Sequence, residues 1–260
     1  AQLNTMNADQ KAPLLDELIR RVIKPYMVVG TVLFILGLLV RFSPLPEIDT
    51  EKESDELAHA NAEKKSIFDF PHLILGAIAI FLHVGTQIIS IDTIINYAIS
   101  MNVPLLEAKS FPAYVLTATI IGYITGIIAI PRFISQVNAL RICTSLGVIL
   151  TFLITTNHTE VNILGHQTSL SIWFVVLLGL ANSLVWAAIW PLAMDGLGRF
   201  TKLGASLLIM GLSGNALIPL VYGSIADNFG VQQAYWILLP CYSYLLFYAI
   251  KGHTIRKWKK

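Results

Sequence analysis

Apolar residues gather into seven blocks along the chain, separated by short polar breaks. The clearest blocks are Val28–Val40, Leu73–Ile91, Phe174–Leu192 and Ile237–Ile250. A bilayer's hydrocarbon core takes about 20 helical residues to cross. The pattern therefore predicts an all-α, polytopic transmembrane helical bundle of seven spans. Their approximate limits are 22–42, 72–98, 112–131, 141–156, 171–193, 203–223 and 233–250.

The breaks carry turn chemistry: Asn102-Val-Pro104, Pro131-Arg132, Asn157-His158, Gly196-Leu-Gly198 and Asp227-Asn-Phe-Gly230. One break differs from the rest. Ser43–Pro71 holds eight acids against three bases, with too little apolar surface to bury, and reads as a linker in which a short helix could form near 51–65. Ahead of the first span, Pro13–Arg21 alternates apolar and charged residues and could lie along the membrane interface. The chain thus divides into an extracytoplasmic segment with one span (1–42), an acidic cytoplasmic linker (43–71) and a six-span half (72–260).

Charge sets the orientation. Arg132 and Arg141, then Arg199 and Lys202, then Lys251, Arg256, Lys257, Lys259 and Lys260 all fall on one side by parity, which marks that side as cytoplasmic. Arg20, Arg21 and Lys24 then lie outside, against the rule, as a chain cut from a longer protein would allow. Its first residue, Ala1, agrees, and the polar Ala1–Gln10 is no signal peptide. With 55% hydrophobic and 13% charged residues, the composition lies outside the range of soluble domains. A net charge of +2 offers no basic field for nucleic acid. Cys143 and Cys241 sit inside apolar blocks and read as helix-packing residues rather than a disulfide or metal ligands. Asn157-His-Thr159 has the form of a glycosylation acceptor, a pattern common by chance.

One span, a long linker and six spans match a twelve-helix transporter joined at its sixth helix, with nested repeats near 72–156 and 171–250. Particular words sharpen this. Phe81-Leu-His-Val-Gly-Thr-Gln87 with Ile94-Ile-Asn-Tyr-Ala98 resembles the seventh helix of the fucose/glucose–galactose permease branch of the major facilitator superfamily. His83 stands where that branch commonly has Tyr. Gly196-Leu-Gly198 with Thr201–Ser206 is similar to its loop after helix ten. Gly214-Asn-Ala-Leu-Ile-Pro219, with Gly223 and Asp227, is similar to its eleventh helix and the turn beyond. The resemblance runs from Val22 to Lys251 and implies helices 6–12 of a sugar symporter working by alternating access in the bacterial inner (cytoplasmic) membrane. It implies a proton as the coupling ion and no cofactor; the residues alone fit H⁺ or Na⁺. The partners it implies are a hexose-like sugar, the lipid bilayer and the missing N-terminal half. That half carries the family's proton-handling carboxylates.

Polar side chains at membrane depth are costly and mark cavities or helix contacts. His83, Gln87 and Ser90 share one helix face at i, i+4, i+7. Gln87 can donate to and accept from sugar hydroxyls, and His83 could join it or relay a proton. In the fifth span Asn182, Trp186, Ile189, Trp190 and Ala193 fall on one stripe, where Trp rings could stack on a sugar while Asn182 binds its hydroxyls. The substrate-binding candidates are therefore His83, Gln87, Asn182, Trp186 and Trp190. For each, the alternative is an interhelical contact that holds the bundle. Asp92 with Asn96 faces away from Gln87 and reads as gating or helix packing. So do Gly211, Gly214 and Pro219, beside a stripe of Ser206, Met210 and Ser213. Asn215 lies off that stripe, and Tyr114, Thr117, Tyr123 and Thr125 spread over several faces.

No Gly-x-Ser-x-Gly, His-Glu-x-x-His, Walker A or Cys-x-x-Cys motif occurs, so no catalytic and no metal residue is assigned. Two rivals are an intramembrane enzyme using His83, Asp92 or Asp195, and a complete seven-helix receptor. Geometry opposes the first, since Asp92 points away from His83. The second has no mid-span Lys for a retinal Schiff base.

Overall fold

The computed structural model describes residues 8–43, 61, 64–130 and 132–258; side chains of the first helix are described from Arg20 onward, Val22 excepted. The structure falls into two compact units, 1–49 and 50–260. In the first, helix α1 (Ala8–Phe42) is continuous, so the stretch 13–21 and the first span belong to one helix. Most of the acidic linker at 43–71, including 51–60, lies outside the described residues.

The second unit is a helical bundle. Its elements are α2 (Pro71–Asp92), α3 (Ile94–Ser100), α4 (Leu105–Ala108), α5 (Phe111–Ala129) and α6 (Gln136–Thr156), then a hairpin of β1 (Glu160–Ile163) and β2 (His166–Ser169). There follow α7 (Leu170–Ser183), α8 (Val185–Met194), α9 (Thr201–Met210), α10 (Gly214–Phe229), α11 (Val231–Ala234) and α12 (Leu238–Ile250). Local chemistry explains the helix starts. Pro71 occupies the first turn of α2, where its missing N–H costs nothing. Ser135 and Ser169 cap α6 and α7, each side-chain oxygen accepting a backbone N–H.

Six helical stretches among the described residues are long and apolar enough to cross a membrane: Ile23–Phe42, Pro71–Asp92, Leu105–Ala129, Gln136–Thr156, Leu170–Met194 and Gly198–Phe229. The expected seventh span, 233–250, is helical but built from α11, a 3₁₀ turn (Tyr235–Ile237) and α12. Tyr235, Tyr242, Tyr244, Tyr248 and Pro240 dilute its hydropathy, which leaves it outside the six. The chain is a multi-pass integral membrane protein.

The hairpin was not foreseen. Ile163 pairs with His166 across a two-residue loop, Leu164-Gly165, and both loop residues have positive φ, 54° and 83°. That is the mirror-image turn whose twist suits a hairpin. His166 then holds the hairpin against the bundle. Its Nε2 lies 3.2 Å from the Tyr114 hydroxyl and its Nδ1 3.3 Å from Glu107 Oε2.

At the opposite end the predicted basic clusters come together. Arg141 Nε donates to the Ala249 carbonyl at the end of α12. Arg199 Nη2 donates to the Lys64 carbonyl, and Arg256 Nη2 to Asp195 Oδ2. Trp258 Nε1 donates to the Phe68 carbonyl. Four stretches distant in sequence, around Lys64, Arg141, Asp195 and Arg256, are thus sewn together.

Candidate functional site

Helix α2 lies between α8 and α10, and glycines set the spacing on both sides. A Cβ at Gly76 would meet Ala193 Cβ at 2.6 Å. A Cβ on Gly214 would overlap the Phe81 carbonyl, and one on Gly211 would press on Ile80 Cγ2 at 2.9 Å. Gly211 and Gly214 are therefore close-packing residues, one of the two readings open at the sequence level. Pro219 lies half-buried within α10, one residue beyond Ile218, which covers Gly85.

The polar face of α2 is arranged in turns. Thr86 Oγ1 donates to the His83 carbonyl at 2.7 Å, and Ser90 Oγ to the Gln87 carbonyl at 2.7 Å. His83, Thr86 and Ser90 are buried, whereas Gln87 is half-buried at the edge of that face. The Nδ1 atom of His83 has no hydrogen-bond partner among the described residues.

Asn182 of α7 meets this face. Its Oδ1 accepts from the Tyr242 hydroxyl at 2.9 Å and lies 3.3 Å from Thr86 Oγ1; its Nδ2 lies 3.4 Å from Ser90 Oγ. With its amide engaged on both sides and the residue 2% exposed, Asn182 bolts α2, α7 and α12 together. Trp186 and Trp190 behave otherwise. Their rings stack at 5.7 Å with an interplanar angle of 28°, and both remain half-buried.

The stripe drawn from Asn182 to Ala193 thus divides. Ile189 and Ala193 are fully buried, Asn182 is buried in the network, and the two Trp residues sit at the bundle's edge. A helix break at Leu184, with no Pro or Gly to announce it, separates Asn182 from the other four, and within α8 the Trp residues and the Ile189–Ala193 pair differ in burial. Asp92 and Asn96 are both exposed, and Thr93 between them keeps helical φ and ψ, so the pair stays on one side. Met210, Ser213 and Asn215 are exposed as well.

Sequence reasoning passed over Thr86 and Tyr242, which complete the network. Threonine is tolerated in apolar helices, and Tyr242 is one of several tyrosines in its block, so neither stood out. The residues of the enzyme rival do not meet: His83 is buried, Asp92 is exposed, and Asp195 pairs with Arg256. Cys143 and Cys241 are buried free thiols.

No protein-family model matches the chain. Among curated proteins it is 29% identical to a glucose/galactose transporter of Brucella abortus, over 88% of this chain and 53% of that one. It is 24% identical to the L-fucose-proton symporter of Escherichia coli, over 95% of this chain and 55% of the relative. Among solved structures, a crystal structure of a major facilitator superfamily transporter in the outward conformation superposes with a TM-score of 0.76 at 21% identity. The match covers 95% of this chain and 58% of that transporter. The chain spans a little over half the length of the relatives it matches. These relatives are transporters, not enzymes.

Proposed function

We propose that this chain, which belongs to the fucose/glucose–galactose permease branch of the major facilitator superfamily, supplies one wall of the path in a proton-coupled hexose symporter. The other wall would come from the first half, completed by five further helices for which the relatives' extra length leaves room. The observation that carries this reading is the stacked, half-buried Trp186–Trp190 pair on α8, beside the helix that carries Gln87.

Stacked indoles present a flat apolar face to a sugar ring, and a primary amide both donates to and accepts from its hydroxyls. Gln87 is suited to that task because its side chain has no hydrogen-bond partner among the described residues. Trp190, Trp186 and Gln87 are accordingly the contact residues of this reading. Asn182 supports them from behind by holding α2, and His83, one turn from Gln87, offers an unsatisfied Nδ1 next to the path. Gly211 and Gly214 would keep α10 close against α2 and Pro219 would let it bend, with Asp92 and Asn96 at the path's edge, as the two halves rock about a central site. Transport of this kind makes and breaks no covalent bond, and the names of the relatives point to glucose, galactose or fucose.

The test is uptake of labelled hexoses by the full-length protein in cells lacking other hexose carriers. Gln87→Ala and Trp186→Ala are expected to reduce uptake by at least about tenfold, the worth of one good hydrogen bond or stacked ring. Collapse of the proton gradient is expected to abolish accumulation. Wild-type uptake by both variants would sink the site assignment, and accumulation that follows sodium would replace the proton.

A further inference from the structure

Helix α8 contains Pro191, and a proline inside a helix leaves the carbonyl four residues earlier without its N–H donor. That carbonyl belongs to Ala187, which lies between Trp186 and Trp190 in the turn that presents the stacked pair. In the structure it is not left bare. Gln136, the first residue of α6, reaches over and donates its Nε2–H to the Ala187 carbonyl at 2.8 Å. A side chain 51 positions away in sequence thus supplies the hydrogen bond that the proline removed.

Within a membrane span a freed carbonyl is satisfied by a neighbouring helix, a side chain or water, because lipid offers no donor. On its inner face helix α8 is packed tightly through Val185, Ala188, Ile189 and Ala193. It starts at a break at Leu184, carries the proline seven residues into its ten, and presents its two indoles at the bundle's edge. A donor fixed to α6 defines where the turn 187–190 lies, and so where both indole planes lie.

We propose that Gln136 is a positioning residue: it latches the proline bend of α8 and so sets the Trp186–Trp190 pair for the sugar. The latch rests on the reading of that pair as a sugar contact for its transport consequence, though not for its existence. A glutamine amide can release one acceptor and take another without any change of charge, so the bend can open and close as α8 moves.

The experiment is a double-mutant cycle in the full-length transporter, with thermal unfolding and hexose uptake both measured. Gln136→Leu removes the donor, and Gln136→Glu keeps the shape but offers no N–H. In the Pro191 background each is expected to lower the melting temperature and raise KM about tenfold with the maximal rate largely kept. In a Pro191→Ala background residue 191 supplies its own N–H, and the same Gln136 changes are expected to cost little by either measure. If Gln136→Leu fails to yield folded protein, recovery of yield in the Pro191→Ala background supports the latch, and no recovery overturns it.

Variants that match wild type with Pro191 present would overturn the proposal. Equal losses with and without Pro191 would also do so. Coupled melting temperatures alongside wild-type uptake by Trp186→Ala would keep the latch and overturn the sugar reading instead.

Discussion

Asn182 and Gln87 are two amides on neighbouring helices in opposite settings. Both were legible as polar groups at membrane depth, and both were expected to touch sugar. Burial and partners separate them: Asn182 is bonded to Tyr242, Thr86 and Ser90, whereas Gln87 is left at the edge. Nothing in the spacing could foresee this, because Tyr242, the partner of Asn182, comes from α12, 60 positions away in sequence. Asn182→Ala should therefore act on stability. It strands the Tyr242 hydroxyl and is expected to cost about 1–2 kcal/mol, near the upper end for hydrogen bonds between membrane helices. Tyr242→Phe should cost less, since the amide keeps its other partners. Thermal unfolding followed by circular dichroism checks both. An Asn182→Ala protein as stable as wild type but unable to transport would return Asn182 to the sugar site.

At the scale of elements, the helices were readable because length and hydropathy together leave little else for a twenty-residue apolar block to be. Their interruptions were not. Leu184 breaks α7 from α8 with no proline or glycine, and the four-residue strands of the hairpin are too short and polar to rise above a loop reading. The glycines of α9–α10 could be read as hinges or as contacts, and the fold makes Gly211 and Gly214 contacts. Gly214→Ala would drive a methyl into the Phe81 backbone, which cannot rotate aside. The expected cost is about 3 kcal/mol, seen as lost yield or a lowered melting temperature.

A smaller element carries a pH dependence. Before α2, Asp69 accepts backbone N–H bonds from Ser66 and Lys65, both at 2.9 Å, which hold its pKa below the ordinary 3.8. A carboxylate with a lowered folded pKa stabilises above its unfolded value and loses that contribution as pH falls through the folded one. The protection of amides 65–70, exchange measured against the intrinsic rate at each pH, should thus fall on acidification below roughly pH 4. Asp69→Asn should be poorly protected already at neutral pH, with protection that changes little on acidification. A wild-type segment insensitive to acid would refute the cap.

For the molecule as a whole, the one-sided basic loops proved the most reliable long-range signal, because the same end of the bundle gathers Arg141, Arg199 and Arg256. The words on the seventh helix, in the loop after helix ten and on the eleventh helix pointed to the transporter fold on which the chain superposes. If the sugar path lies between two halves, this chain alone should accumulate no hexose even when it inserts correctly, whereas co-expression with a matching first half should restore uptake. Accumulation by the chain alone would refute the shared path.

The seam at the basic end also bears on how the protein is made. Asp195 waits for Arg256, 61 positions later, and the Phe68 carbonyl waits for the Trp258 indole, 190 positions later. Helices enter the bilayer in the order of synthesis, so α2 and the α8–α9 loop, already joined by His72 to the Asp195 carbonyl and by Arg199 to the Lys64 carbonyl, arrive long before these two further ties. This end of the bundle therefore receives its last stitches only after α12 has been laid down, and a nascent chain stalled at that helix would carry its inserted spans without the Arg256 and Trp258 bonds.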